Sequence, residues 1–114
     1  MEVLRKGCKE LGIILSEKQE QQFMKYYQLL LEWNQRVNLT SITDYEDVIN
    51  KHFLDSLCLV KIPDVIGKEK KKVIDVGTGA GFPGIPLKII FPEIQLTLLD
   101  SLNKRINFLN ALVE

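Results

Sequence analysis

Glycine occupies alternate positions of one short loop, Gly77, Gly79 and Gly81, and returns at Gly84 in the run Val73-Ile-Asp-Val-Gly-Thr-Gly-Ala-Gly-Phe-Pro-Gly84. Glycine is required where the backbone takes positive φ or where a ligand must come closer than a Cβ allows. Alternating glycines behind a β-branched run therefore predict main chain laid against a nucleotide-like ligand. Asp100 closes the next apolar run, Gln95-Leu-Thr-Leu-Leu-Asp100, where a carboxylate can accept hydrogen bonds from ribose hydroxyls. The chemistry in view is cofactor binding.

Two kinds of cofactor compete. Gly79-Ala-Gly81-Phe-Pro-Gly84 spells G-x-G-x-x-G, and an acidic residue about 20 positions on completes the dinucleotide fingerprint. Three details weigh against a dinucleotide. The loop already begins at Gly77-Thr78, before that motif. Asp75, between Ile74 and Val76, puts a carboxylate where a pyrophosphate would be repelled. Pro83 and Pro86 remove backbone N–H groups from the helix start that would bind phosphate. S-adenosylmethionine carries adenosine, an ammonium and a sulfonium, and no phosphate. For that ligand Asp75 helps accept the cationic end, Gly77, Thr78, Gly79 and Gly81 lie against the amino-acid portion, and Asp100 holds the ribose. A P-loop is excluded, since no Gly-Lys-Ser/Thr follows the glycines.

The elements that position this loop read as follows. Leu4, Cys8 and Leu11 predict a short amphipathic helix ending near Gly12. Ser16 with Gln19 is a capping box opening a longer helix, striped by Phe23, Tyr26, Tyr27, Leu30, Trp33 and Val37. Asp44, with Asp47 in its first turn, opens another helix carrying Val48, Ile49, Phe53, Leu57 and Val60, stopped before Pro63. Lys68-Glu-Lys-Lys-Lys72 is a charged connector. Beyond it the pattern becomes strand (73–77), helix (84–91), strand (95–100) and helix (102–113), the alternation of a parallel sheet. Continuous apolar strands predict cover on both faces. The expected division is a helical region, residues 1–70, and an α/β region, residues 71–114. Doubly wound sheets usually have five or more strands, so the chain is expected to be the front half of a larger protein.

At 114 residues, 46% apolar and 26% charged, the chain fits one small domain of ordinary soluble globular composition. Fifteen basic and fifteen acidic residues cancel, so any nucleic-acid contact must come from local patches. No secretory signal stands at Met1–Arg5, no apolar run approaches the roughly 18 residues of a membrane span, and Asn38-Leu-Thr40 has no role as a glycosylation sequon. Cys8 and Cys58 are far apart without companion histidines. Reduced cysteines, no metal and a cytoplasmic location are the expectation.

Val73–Pro86 together with Leu98-Leu-Asp-Ser-Leu-Asn-Lys-Arg105 resembles the RsmG (GidB) methyltransferases. Leu31-Glu-Trp-Asn-Gln-Arg-Val-Asn-Leu-Thr-Ser-Ile42 and His52-Phe-Leu-Asp-Ser56 are similar to the helical preamble of that family. The resemblance implies a helical region packed on a truncated class I, Rossmann-like S-adenosylmethionine-binding sheet. It also implies methylation of guanine N7 in bacterial small-subunit (16S) ribosomal RNA. Gly77 and Phe82 fall at its cofactor-contact positions, and the ribosomal small subunit is the implied partner. Guanine N7 has an exposed lone pair, so no acid–base residue is nominated. The alternatives are a non-catalytic module that retains cofactor or RNA affinity, and a dinucleotide oxidoreductase half.

Other residues divide between structural and functional readings. His52 shares a helix face with Asp55, and a structural role is favoured over substrate contact. Trp33, Tyr26 and Tyr27 follow an apolar stripe, which favours core packing over base stacking. Lys68 and Lys70–Lys72 suit a solvated connector or an RNA phosphate contact equally. Lys104 and Arg105 place positive charge at a helix start against its dipole, which favours a role facing RNA or cofactor.

Overall fold

The computed structural model describes residues 2–61, 72–100 and 102–113. Helix α1 (Glu2–Glu10) buries Leu4 and Cys8, and the chain turns at Gly12. Helix α2 (Glu17–Asn34) opens on the expected capping box. Gln19 N–H donates to Ser16 Oγ at 3.1 Å, and Ser16 N–H donates to Gln19 Oε1 at 2.9 Å. Its stripe buries Phe23, Tyr26 and Leu30. The helix stops before Val37 because Asn34 Oδ1 accepts the N–H groups of Leu39 and Thr40, at 2.9 and 3.0 Å, and pulls the chain back.

The next helical stretch is compound. It begins with α3 (Tyr45–Asp47), widens into a π-helical segment (Val48–Leu54), and tightens through α4 (Asp55–Leu57) into a 3-10 turn (Cys58–Lys61). Asp44 occupies the N-cap position as expected, but its side chain makes no capping hydrogen bond. The periodicity predicts an ordinary helix, and the π segment is a departure from it. Val48, Ile49 and Phe53 are buried there, and such widened turns often stand at functional sites.

Strands β1 (Lys72–Val76) and β2 (Gln95–Leu99) pair in parallel, with Asp75 opposite Leu98 and Val76 opposite Leu99. Helix α5 (Gly84–Ile90) connects them, and α6 (Asn103–Val113) follows β2. The expectation of two covered faces is not met among the described residues. Val73, Leu96 and Leu98 pack on the core, while Ile74 and Val76 on the other face are 63% and 76% exposed. The apolar run marked residues suited to cover, but α5 and the helical region supply cover on one side.

One core spans both halves. Phe23, Tyr26, Phe53 and Leu57 join Ala80, Leu87, Ile94 and Phe108 in a single cluster. The Phe23 and Phe53 rings meet at 5.1 Å, and Tyr26 stacks on Phe53 at 5.2 Å. Each fully buried ring contributes about 1.5–3 kcal/mol from apolar burial. The expected boundary at residue 70, Pro63, and Lys68, Lys70 and Lys71 lie outside the described residues; Lys72 is exposed at the start of β1. Trp33 packs against Phe108 at 5.9 Å with the Arg36 guanidinium over its ring, and Tyr27 meets Tyr45 edge-on. These contacts are those of structural side chains.

Candidate cofactor-binding site

The glycine loop leaves β1 at the carboxyl end of the sheet, where ligands of open α/β folds bind. Leu99 O, at the end of β2, accepts both Gly77 N–H at 2.8 Å and Thr78 N–H at 3.1 Å. The loop therefore opens between the two strand ends. Gly77 and Gly79 have φ of 68° and 59°, and a methyl group on either would meet no atom within 4 Å. Both the backbone conformation and the empty space beside it suit main chain exposed to a ligand.

Asp75 and Asp100 flank the loop. Asp75 lies on the inward face of β1, and its Oδ2 accepts Thr78 Oγ1–H at 2.7 Å and Gly84 N–H at 3.0 Å. Thr78 is 3% exposed, so this pair ties the loop down from beneath. From the other side Tyr26, on α2, donates its hydroxyl to Ala80 O at 2.6 Å. Burial, and then the charge of Asp75, hold the Tyr26 phenol well above its ordinary pKa. The helical region thus positions the loop directly.

Asp100 reaches the loop as well. Its Oδ2 accepts Gly79 N–H at 2.8 Å and lies 3.7 Å from Arg105 Nη1, and its Oδ1 accepts Leu102 N–H at 3.0 Å. The side chain is 2% exposed. A ribose engaging this carboxylate has to share or displace the Gly79 bond. The two cations nominated for RNA separate here: Lys104 is exposed, whereas Arg105 turns its guanidinium to Asp100.

Phe82 is half-buried at the end of the loop, stacked on His52 at 4.4 Å with an interplanar angle of 10° and on Tyr26 at 5.5 Å. His52 Nε2 is 2.9 Å from Thr40 Oγ1. Burial lowers the His52 pKa, partly offset by Asp55. The spacing of His52 and Asp55 marked one helix face; nothing in the linear pattern signalled that this face meets Phe82, or that Thr40 joins it.

The start of α5 discriminates between the two cofactor classes. Pro83 and Pro86 have no N–H, Gly84 N–H goes to Asp75, and Ile85 N–H goes to Gly81 O at 2.8 Å. No donor of that turn is left for a pyrophosphate, which removes the physical basis of dinucleotide binding at a helix start. Among the described residues no group of three or more His, Cys, Asp or Glu could hold a metal ion, and no helix is long and apolar enough to cross a membrane. Cys8 is buried and Cys58 exposed, both free.

Comparison with known proteins gives the family. The family model GidB, described as rRNA small subunit methyltransferase G, matches residues 19–114. The chain belongs to the GidB family. It is 58% identical over 112 residues to the "Ribosomal RNA small subunit methyltransferase G" of Caldanaerobacter subterraneus subsp. tengcongensis, covering 98% of this chain and 46% of that protein. The protein of the same name from Thermoanaerobacter sp. is 57% identical over 113 residues, covering 99% and 46%. That of Streptococcus agalactiae is 53% identical over 103 residues, covering 90% and 43%. The chain thus spans somewhat under half the length of these GidB relatives. Its helical region on a parallel β–α–β unit is consistent with a truncated Rossmann-like methyltransferase fold.

Proposed function

We propose that the whole protein is an S-adenosylmethionine-dependent methyltransferase acting on N7 of a guanine in bacterial 16S ribosomal RNA, in the cytoplasm. In this reading residues 1–70 form a helical cap and residues 71–114 the first half of the cofactor domain. The observation that carries it is the pair of left-handed glycines, Gly77 and Gly79, open on their side-chain faces beside Asp100 at the strand ends. A Cβ would occupy the space a ligand needs, so the residues present fit the methyl donor.

When bound, the cofactor supplies an electrophilic methyl on a sulfonium; transfer to N7 leaves the thioether and a cationic methylated base. Gly77 and Gly79 present main chain to the amino-acid portion. Asp100 would hold the ribose hydroxyls, sharing or giving up its bond to Gly79 N–H. Asp75 and Thr78 keep the loop in register, and Phe82 walls its far end. No side chain is asked to take a proton, because N7 carries a free lone pair. The chain's contribution is placement, which can supply about 7–11 kcal/mol of a barrier where two reactants must align.

Calorimetric titration of the chain with S-adenosylhomocysteine and with NADH tests the reading. Saturable binding of the first alone is expected. Binding of NADH alone would remove the methyltransferase assignment. Binding of neither, by a chain that melts cooperatively, would favour a non-catalytic module.

A further inference from the structure

A second cleft adjoins the glycine loop. It measures about 340 Å³ and is lined by Asp55, Ser56, Leu59, Phe82 and Pro83, within the range of small-ligand pockets, about 300–1,000 Å³. His52, Asp55, Ser56 and Leu59 share one helical face, and Phe82-Pro83 continues directly from Gly81. The cleft therefore joins the helical cap to the cofactor loop.

Its chemistry is selective. Ser56 is already engaged, donating its hydroxyl to His52 O at 2.6 Å. The Asp55 carboxylate is exposed, and among the described residues no N–H or O–H donates to it. Leu59, Pro83 and the half-buried Phe82 are its apolar walls. The Phe82 ring is held in place by the His52 imidazole stacked on it, itself anchored at Thr40 Oγ1. Apolar walls, one of them aromatic, suit a planar base. An ionised carboxylate only accepts hydrogen bonds. It therefore matches a ligand edge carrying adjacent donors and is a poor neighbour for phosphate.

We infer that this cleft receives the target guanine, with Phe82, Leu59 and Pro83 as its walls and Asp55 as the specificity-determining residue. This inference rests on the function proposed above. Guanine offers N1–H and N2–H2 side by side, which two carboxylate oxygens accept together. Adenine presents an N1 acceptor at the same place and is repelled; inosine lacks the N2 donors. N7 lies on the opposite edge of the purine, so a base read by Asp55 keeps N7 clear of the carboxylate. His52 is a positioning residue, acting through Phe82.

The test uses the chain saturated with S-adenosylhomocysteine and a fluorescent single-stranded RNA nine nucleotides long, with guanine, inosine or adenine at its centre. Anisotropy titration is expected to show guanine preferred by about tenfold over adenine, as one good bidentate pair provides. Asp55→Asn should erase that preference while calorimetric affinity for S-adenosylhomocysteine stays within about twofold, or about 0.4 kcal/mol. Phe82→Leu should weaken all three RNAs alike. A wild-type chain indifferent to the central base, or Asp55→Asn retaining the preference, overturns the inference. Loss of S-adenosylhomocysteine affinity in Asp55→Asn overturns it too, by assigning the carboxylate to the cofactor's ammonium. Failure of the wild-type chain to bind S-adenosylhomocysteine at all counts against the proposed function itself, and the base preference is read separately from it.

Discussion

The two ends of the glycine loop use the same residue for opposite purposes. At Gly77 and Gly79 a side chain would project into empty space. At Gly81 it would fall 2.8 Å from both Ile85 Cγ1 and Tyr26 Oη, and at Gly84 it would fall 2.8 Å from Leu98 Cδ2 and 2.9 Å from Asp75 Oδ2. The first pair leaves the main chain open on its side-chain faces, where the proposed cofactor would lie. The second pair lets α5 settle on the sheet and lets α2 reach the loop. A single glycine-rich signature thus contains a binding half and a packing half, and substitution should separate them.

The largest effect is expected in the packing half. Gly81→Ala combines a left-handed backbone, φ 95°, with overpacking against two neighbours. Together these should cost about 2–5 kcal/mol, read as a lowered urea midpoint. A stability within experimental error of wild type would mean that Tyr26 and Ile85 yield easily, and the division would blur.

The binding half should behave differently. At Gly79 an added Cβ meets no neighbour, so the main cost of Gly79→Val is the strained backbone, at least about 1–2 kcal/mol, with helical circular dichroism nearly intact. Affinity for S-adenosylhomocysteine should fall at least about tenfold, or 1.4 kcal/mol. Unchanged affinity would show that the loop is not the site.

The smallest effect concerns His52, at the seam between the loop and the helical cap. Its pKa is lowered in the folded chain, first by burial, with Asp55 pulling the other way. The unfolded state therefore binds the proton more readily. The stability this group contributes is present above the unfolded pKa, about 6.5, and is lost as pH falls through the lowered folded value. The stability difference between wild type and His52→Gln should accordingly shrink on going from pH 8 to pH 5. A gap that widens would mean that the imidazolium, and not the neutral ring, is the form held against Phe82.

The parts of this picture that were legible beforehand rest on local physics. The Ser16–Gln19 capping box, the turn at Gly12 and the strand–helix alternation after residue 72 depend on near neighbours in the chain. So does the demand for glycine at Gly77 and Gly79. The π-helical segment was hidden because Val48, Ile49 and Phe53 satisfy an ordinary helical spacing too; burial against α1 and α2 selects the wider turn. The open face of β1 was hidden because apolar runs record suitability for cover and do not say where cover comes from.

Residue types and their spacing were sufficient to specify a strand–glycine loop–helix unit, a carboxylate at each strand end and a helical preamble, since backbone sterics and hydrogen-bond capacity are properties of a few adjacent residues. Which glycines stay open and which are packed, how Asp100 closes on Gly79 and Arg105, and that His52 stacks on Phe82 were settled by folding alone. Those contacts join residues 21, 5 and 30 positions apart, and the direction in which a side chain points at such range is set by the packed core between them.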